Sequence, residues 1–399
     1  MKINKNIQSK YAIYLLAFLA FVLYNSMLPG ITYYAVIFSV LVFLSAETNK
    51  YRDKNFSLIL SFALFYSVIP LFSGVSMSMK GVVCSIIPPA FYIFGRYIVS
   101  RANNSSTVVN VIAGIVLFFA LNTYILCITD MISTGQLINV TRSMSRFVGT
   151  EEDQVMAATG FGINISLGFV GLAVFLKEKR RGLRHYVLLS VFILSLLVTV
   201  HLVNRTGVIL SVLVSTVLLF LSFNSNNRRN LILGIIALGF FLYILYENTP
   251  AFTDIVEAYT AREETEMNSG MFNTGSRSWR WIDGLQRLFS DPIGYADKMP
   301  EGYFVHNMWL DVSRSSGLLP FILVLLITIR MAKLSVLILV KSKMSEFSFV
   351  CLGLCICFLA SFFMEPVLEG CAIYFYLFCL IWGMEVQYYK RVLNHDIDN

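Results

Sequence analysis

Charged residues are scarce in this sequence. Asp, Glu, Lys and Arg make up 14% of the 399 residues, whereas soluble proteins contain about 25%. Hydrophobic residues make up 57%, and no polar stretch of domain size interrupts them between residues 10 and 389. The composition excludes an ordinary soluble protein and predicts a single membrane domain, 1–399.

Residues arranged to bind a metal are also lacking. All seven Cys fall within predicted membrane spans, and none is spaced from one of the four His as in a metal site. We therefore expect neither a metal nor another cofactor.

Apolar runs recur at the length that crosses a bilayer, roughly 17–25 residues. They predict an all-α polytopic integral membrane protein with about twelve transmembrane helices. No small-residue cleavage site follows the first run, so it is expected to be an anchor and not a cleavable signal peptide. The predicted spans are 10–28, 31–46, 56–73, 80–99, 107–129, 155–176, 186–203, 207–223, 231–246, 307–330, 347–364 and 371–388.

The positions of Lys and Arg predict the orientation. With both termini in the cytoplasm, about two thirds of the 31 Lys and Arg residues lie in cytoplasmic connections. This bias accounts for the net charge of +7, so we expect no nucleic-acid partner. Segments 130–154 and 247–306 then become periplasmic loops, and the second carries most of the candidate site residues.

The larger loop contains a predicted amphipathic helix that ends at the Asp291-Pro292 dipeptide. It is expected to lie on the membrane surface. Arg277 and Arg280 are three residues apart and share a face of this helix. Guanidinium groups bind diphosphate through paired hydrogen bonds, although contact with anionic lipid headgroups is the alternative. The apolar positions at helical spacing are Trp281, Ile282, Leu285, Leu288 and Phe289.

Arg205 lies in the sequence HLVNRTGV, where one span must end and the next begin within a few residues. A charge at the outer membrane boundary is costly unless it is paired or faces a polar cavity. The orientation rule places ordinary basic residues on the cytoplasmic side, so Arg205 is a candidate functional residue.

His306 stands where the large outer loop re-enters the membrane, next to Asn307. Imidazole exchanges protons near neutral pH, so His306 could accept a proton from a hydroxyl group. The alternative is an interfacial histidine that only takes part in a helix cap. Tyr303 and Trp281 could stack on sugars, but the aromatic belt of a membrane protein explains them equally well.

Several short motifs occur in a characteristic order. They are NRTG at 204–207, GSR at 275–277, RW at 280–281, DPIG at 291–294, HN at 306–307 and SSGLLPFILVL at 315–325. Together with the hydropathy plan, they resemble the O-antigen polymerase and O-antigen ligase superfamily of bacterial inner membranes.

The resemblance implies a glycosyltransferase-C-like fold and metal-independent, inverting glycosyl transfer on the periplasmic face. By position, His306 matches the catalytic histidine proposed for the family, and Arg277 and Arg205 match its arginines. Arg280 has no secure counterpart and is assigned to diphosphate binding on its chemistry alone. Asn307, Trp281, Asp283 and Tyr303 are expected to support the site.

The expected function is that of an O-antigen polymerase. A growing glycan is moved from undecaprenyl diphosphate onto a second lipid-linked repeat unit, and a chain-length regulator protein is an expected partner. Two alternatives remain open: an O-antigen ligase, which would use lipid A–core as acceptor, and a polysaccharide flippase or exporter, which would place charged residues at mid-membrane depth.

Overall fold

The computed structural model describes residues 18, 32–45, 48–72, 85–139, 141–145, 155–177, 182–222, 256–261, 277–300, 302–342 and 344–393. The predicted spans 231–246 and 10–28, apart from Phe18, lie outside these residues. The chain divides into two compact units, which are described separately. The first contains residues 1–119 and 280–399, and the second contains residues 120–279.

The described chain is mostly helical, as predicted. Short 3-10 segments occur at Asn49–Tyr51, Leu167–Val170 and Ala296–Lys298, and the final turn, Tyr389–Leu393, is a π-helix. The α-helices are α1 (Thr32–Leu44), α2 (Lys54–Phe72), α3 (Ile87–Arg101), α4 (Ser105–Thr134), α5 (Ala158–Ser166), α6 (Gly171–Lys177), α7 (Leu183–His201), α8 (Arg205–Ser222), α9 (Arg277–Ser290), α10 (Met308–Ser316), α11 (Leu318–Lys341), α12 (Glu346–Met364), α13 (Val367–Gly370) and α14 (Ala372–Tyr388).

Seven helical stretches among the described residues are long and apolar enough to cross a membrane, which is consistent with a polytopic membrane protein. They are α2 without its last residue, α4, the continuous stretch Ala158–Lys177, α7, α8, α11 and α12. Three further predicted spans coincide with shorter helices, namely α1 with 13 residues, α3 with 15 and α14 with 17.

Several predicted boundaries differ from the structure, and α11, for example, continues to Lys341, whereas the predicted span ends at residue 330. The predicted span 307–330 is two helices, α10 and α11, because the chain turns at Gly317 with φ +81°. A Cβ atom at Gly317 would lie 2.1 Å from the carbonyl oxygen of Pro292, so only glycine fits there. The predicted span 155–176 begins as a strand, because β2 (Val155–Ala157) pairs with β1 (Ser143–Ser145) in an antiparallel ladder.

In the first unit, α3 and α14 pack backbone against backbone. A Cβ atom on Gly95 would lie 2.0 Å from the Leu380 carbonyl oxygen, and one on Gly383 would lie 2.1 Å from that of Tyr92. Within α3, Arg96 is 4% exposed and donates a 2.6 Å hydrogen bond to Asp53. The glycines therefore allow the close approach, and the ion pair joins α3 to the segment before α2.

The second unit is organised around buried hydroxyl contacts. Tyr124 on α4 donates a 3.2 Å hydrogen bond to the carbonyl oxygen of Val191 and lies 2.8 Å from the hydroxyl oxygen of Ser195, both on α7. The side-chain amide of Asn204, just before α8, donates to the carbonyl oxygen of Ala158 at 2.8 Å. These bonds fix the start of α8, where Arg205 lies.

The contact between α3 and α14 gives a stability prediction. Gly383→Ala is expected to lower the melting temperature of the purified protein in detergent, because overpacking of a tight contact costs about 1–3 kcal/mol. Gly370→Ala is the matched control, since nothing lies within 4 Å of a Cβ atom built there. Equal melting temperatures for the two variants would contradict the close packing.

Candidate functional site

Helix α9 confirms the predicted helix before the Asp-Pro stop, and it ends at Ser290. Leu288, which belongs to the first unit, is buried. Ile282, Leu285 and Phe289 on the neighbouring face are 43%, 52% and 75% exposed. This exposed apolar face fits a location on the membrane surface, which stays a prediction. The opposite face carries charged side chains.

His306 lies in a turn that its neighbours hold in place. Its φ is +59°, which is uncommon for a residue other than glycine. The carboxylate of Asp311 accepts hydrogen bonds from the backbone N–H groups of Val305 at 2.7 Å and Asn307 at 3.2 Å. Asn307 in turn caps α10 by accepting from the backbone N–H of Leu310 at 3.2 Å.

Two further segments contact this turn. The Trp281 indole on α9 donates to the carbonyl oxygen of His306 at 3.4 Å. The side-chain amide of Asn307 donates to the carbonyl oxygen of Phe363, near the end of α12, at 3.2 Å. The rings of Trp281 and Phe363 meet with centroids 4.8 Å apart. The turn is therefore held by α9, α10 and α12 together.

Arg280, Asp283 and Tyr303 form the adjacent polar surface. Arg280 donates to the carbonyl oxygen of Phe304 at 3.0 Å, and its guanidinium lies 5.3 Å from the centroid of the Tyr303 ring. Asp283 accepts a 2.9 Å hydrogen bond from Arg287 and lies 3.5 Å from the Tyr303 hydroxyl. Arg280 thus places a cation next to the turn and also holds the loop backbone.

Four charged residues around the turn were not predicted from the sequence as site residues. Arg314 lies 3.5 Å from Asp311 and forms an ion pair with Glu369, which also accepts from Ser315. Glu365 follows α12 and is 1% exposed. Burial raises the pKa of Asp311 and of Glu369, while Arg314 opposes both shifts. The sequence signal that could have identified these residues is a charged residue next to an apolar span, since such a charge needs a partner.

Glu365 faces His306 across the turn. Its Oε2 atom lies 3.7 Å from Nδ1 of His306, whose side chain is 25% exposed. A buried carboxylate and a partly exposed imidazole therefore stand within ion-pair distance. The structure brings together Arg280, Trp281, Asp283, Tyr303, His306 and Asn307 in the first unit.

Arg205 and Arg277 belong to the second unit. Arg205 is the first residue of α8 and donates to the carbonyl oxygen of Tyr259 at 3.3 Å, while the Tyr259 hydroxyl donates to that of Thr199 at 2.8 Å. One turn before Arg205, His201 lies 2.9 Å from Asp130. The assignment of Arg205 and Arg277 to diphosphate binding stays a prediction.

Within the described ranges, no three His, Cys, Asp or Glu residues are grouped so that they could hold a metal ion. Comparison with models of protein families and with curated proteins finds no match for this chain.

The bonds of Asp311 give a prediction about the turn. Asp311→Ala leaves two buried N–H groups without their acceptor, so the free energy of unfolding should fall by about 2 kcal/mol or more. Thermal unfolding in detergent measures the effect. Asp297→Ala removes the carboxylate of an exposed residue in the same loop and should leave the melting temperature unchanged. An unchanged melting temperature for Asp311→Ala would contradict the assigned role.

Proposed function

We propose that this protein is an O-antigen polymerase of the bacterial inner membrane, with about twelve spans in a glycosyltransferase-C-like arrangement. Both termini are cytoplasmic and the active site is periplasmic. The observation that carries the proposal is the position of His306. It lies in a turn fixed by Asp311 and Asn307, its side chain is partly exposed, and the guanidinium of Arg280 on α9 donates to the backbone of the adjoining loop.

This geometry suits base-assisted glycosyl transfer. A base must be held at a fixed position and yet remain accessible to the hydroxyl group that it activates. His306 meets both conditions, because its backbone is bound on each side while a quarter of its side chain is exposed. Arg280 adds a permanent positive charge suited to a diphosphate. Tyr303 and Trp281 offer aromatic surfaces for the sugars.

The proposed reaction needs no nucleotide. His306 takes the proton of an acceptor sugar hydroxyl, the hydroxyl oxygen attacks the anomeric carbon of the donor glycan, and the bond to undecaprenyl diphosphate breaks with inversion. The electron pair of that bond leaves with the diphosphate. Arg205 and Arg277 keep their predicted role in binding this diphosphate, which rests on their chemistry and on the family resemblance. A chain-length regulator protein stays an expected partner.

The ligase alternative differs only in its acceptor, and no contact of the described residues favours lipid A–core over a second repeat unit. A gel of lipopolysaccharide from a deletion strain separates the two functions. Loss of the ladder with one repeat unit still attached to core is expected for a polymerase. Absence of any attached unit would contradict the polymerase assignment and favour the ligase or the exporter.

Complementation of that strain tests the site. His306→Ala, Arg205→Ala and Arg277→Ala should fail to restore long chains although each protein reaches the membrane. For His306, loss of a general base lowers the rate about 10²–10⁴-fold. His395→Ala removes the same side chain in the C-terminal tail and is the matched control, so it should restore the ladder. A normal ladder from His306→Ala would show that His306 is not the base.

A further inference from the structure

The backbone of Glu365 is hydrogen-bonded on both sides at the end of α12. Its backbone N–H donates to the carbonyl oxygen of Ser361 at 2.9 Å, and its own carbonyl oxygen accepts from Val367 at 2.9 Å. Two residues earlier, Phe363 accepts from the side chain of Asn307, the neighbour of His306. The same local structure therefore fixes both members of the His306–Glu365 pair.

The environment of the His306 ring differs between its two nitrogens. Nδ1 is buried, forms no hydrogen bond to any described residue, and lies 3.7 Å from Oε2 of the buried Glu365 carboxylate, which is an ion-pair distance but longer than a hydrogen bond. Since a quarter of the side chain is exposed, the accessible surface belongs to side-chain atoms other than Nδ1. A carboxylate can only accept hydrogen bonds, so it favours a proton on Nδ1. Nε2 then carries the lone pair.

The other two acids near the turn have different partners. Asp311 accepts from two backbone N–H groups, and Glu369 pairs with Arg314 and Ser315. Glu365 is the acid that lies within ion-pair distance of the imidazole. Glu365 and Glu369 are four residues apart. The segment 365–370 therefore contacts two basic residues of the segment 306–316, His306 and Arg314.

We propose that Glu365 is a positioning residue, which holds His306 with its proton on Nδ1 and stabilises the ring when it becomes charged. This inference rests on the proposed glycosyl transfer. The acceptor hydroxyl gives its proton to Nε2 as its oxygen bonds to the anomeric carbon, and the released electron pair leaves on the diphosphate. The imidazolium formed in this step faces the Glu365 carboxylate. The arrangement of acid, imidazole and hydroxyl follows the logic of a catalytic triad.

Nitrogen-15 NMR of the full-length protein in detergent, labelled at histidine, tests the tautomer without any assay of activity. The chain has four His residues, and His306→Gln identifies the signals of His306 by their loss. In the unmodified protein, neutral His306 should carry its proton on Nδ1. In Glu365→Gln the proton should shift towards Nε2, whereas Glu365→Asp should retain it on Nδ1. Glu346→Gln, the same change at the opposite end of α12, is the matched control and should leave the signals unchanged.

The same variants are then compared for chain elongation. Glu365→Gln should lower the rate about 10²-fold or more, as expected when the acid that sets the tautomer of a general base is lost, and Glu365→Asp should restore part of it. A proton on Nε2 in the unmodified protein, or no change in Glu365→Gln, would overturn the inference even if His306→Ala abolished activity. If the proton shifts in Glu365→Gln but this variant elongates chains at the full rate, the His306–Glu365 pair has no catalytic role. Full elongation by His306→Ala would instead refute the proposed function.

Discussion

The structure around His306 depends on one interaction, the acceptance of two backbone N–H groups by the carboxylate of Asp311. The N–H groups of Val305 and Asn307 flank the residue that adopts φ +59°. A backbone conformation of this kind costs of order 1–3 kcal/mol and persists only when its surroundings fix it. Asp311 lies on the helix that Asn307 caps, so the turn and the start of α10 stabilise each other. The direction of the imidazole follows from this local structure.

Several ionisable side chains around the turn lie opposite a group that can compensate their charge. Glu369 with Arg314 and Glu365 with His306 join the segment after α12 to the segment that begins α10. Charged residues are few in this protein, yet several of them lie in one small region of the first unit. This concentration of ionisable groups is the reason that the proposed reaction is placed at this turn.

The helices were predictable from the sequence because their signals are local. The length and apolarity of α11 and α12 and the spacing of Trp281, Leu285 and Leu288 in α9 require no knowledge of partners. Hydropathy could not detect the break at Gly317, because a window average takes no account of a single residue whose backbone conformation and close approach to Pro292 end the helix. The pairing of His306 with Glu365 could not be predicted from the sequence either. These residues are far apart in the sequence, and only the packing of α10 against the end of α12 brings them together.

The most direct test uses purified protein and undecaprenyl-diphosphate-linked repeat units, with no nucleotide sugar and no other enzyme. If the protein is the proposed polymerase, glycans of several repeat units form on the lipid carrier and undecaprenyl diphosphate is released. The His306→Ala protein should give almost none, although its melting temperature equals that of the unmodified protein. Elongation by both proteins at the same rate, or failure of the unmodified protein to elongate this substrate, would contradict the proposed function.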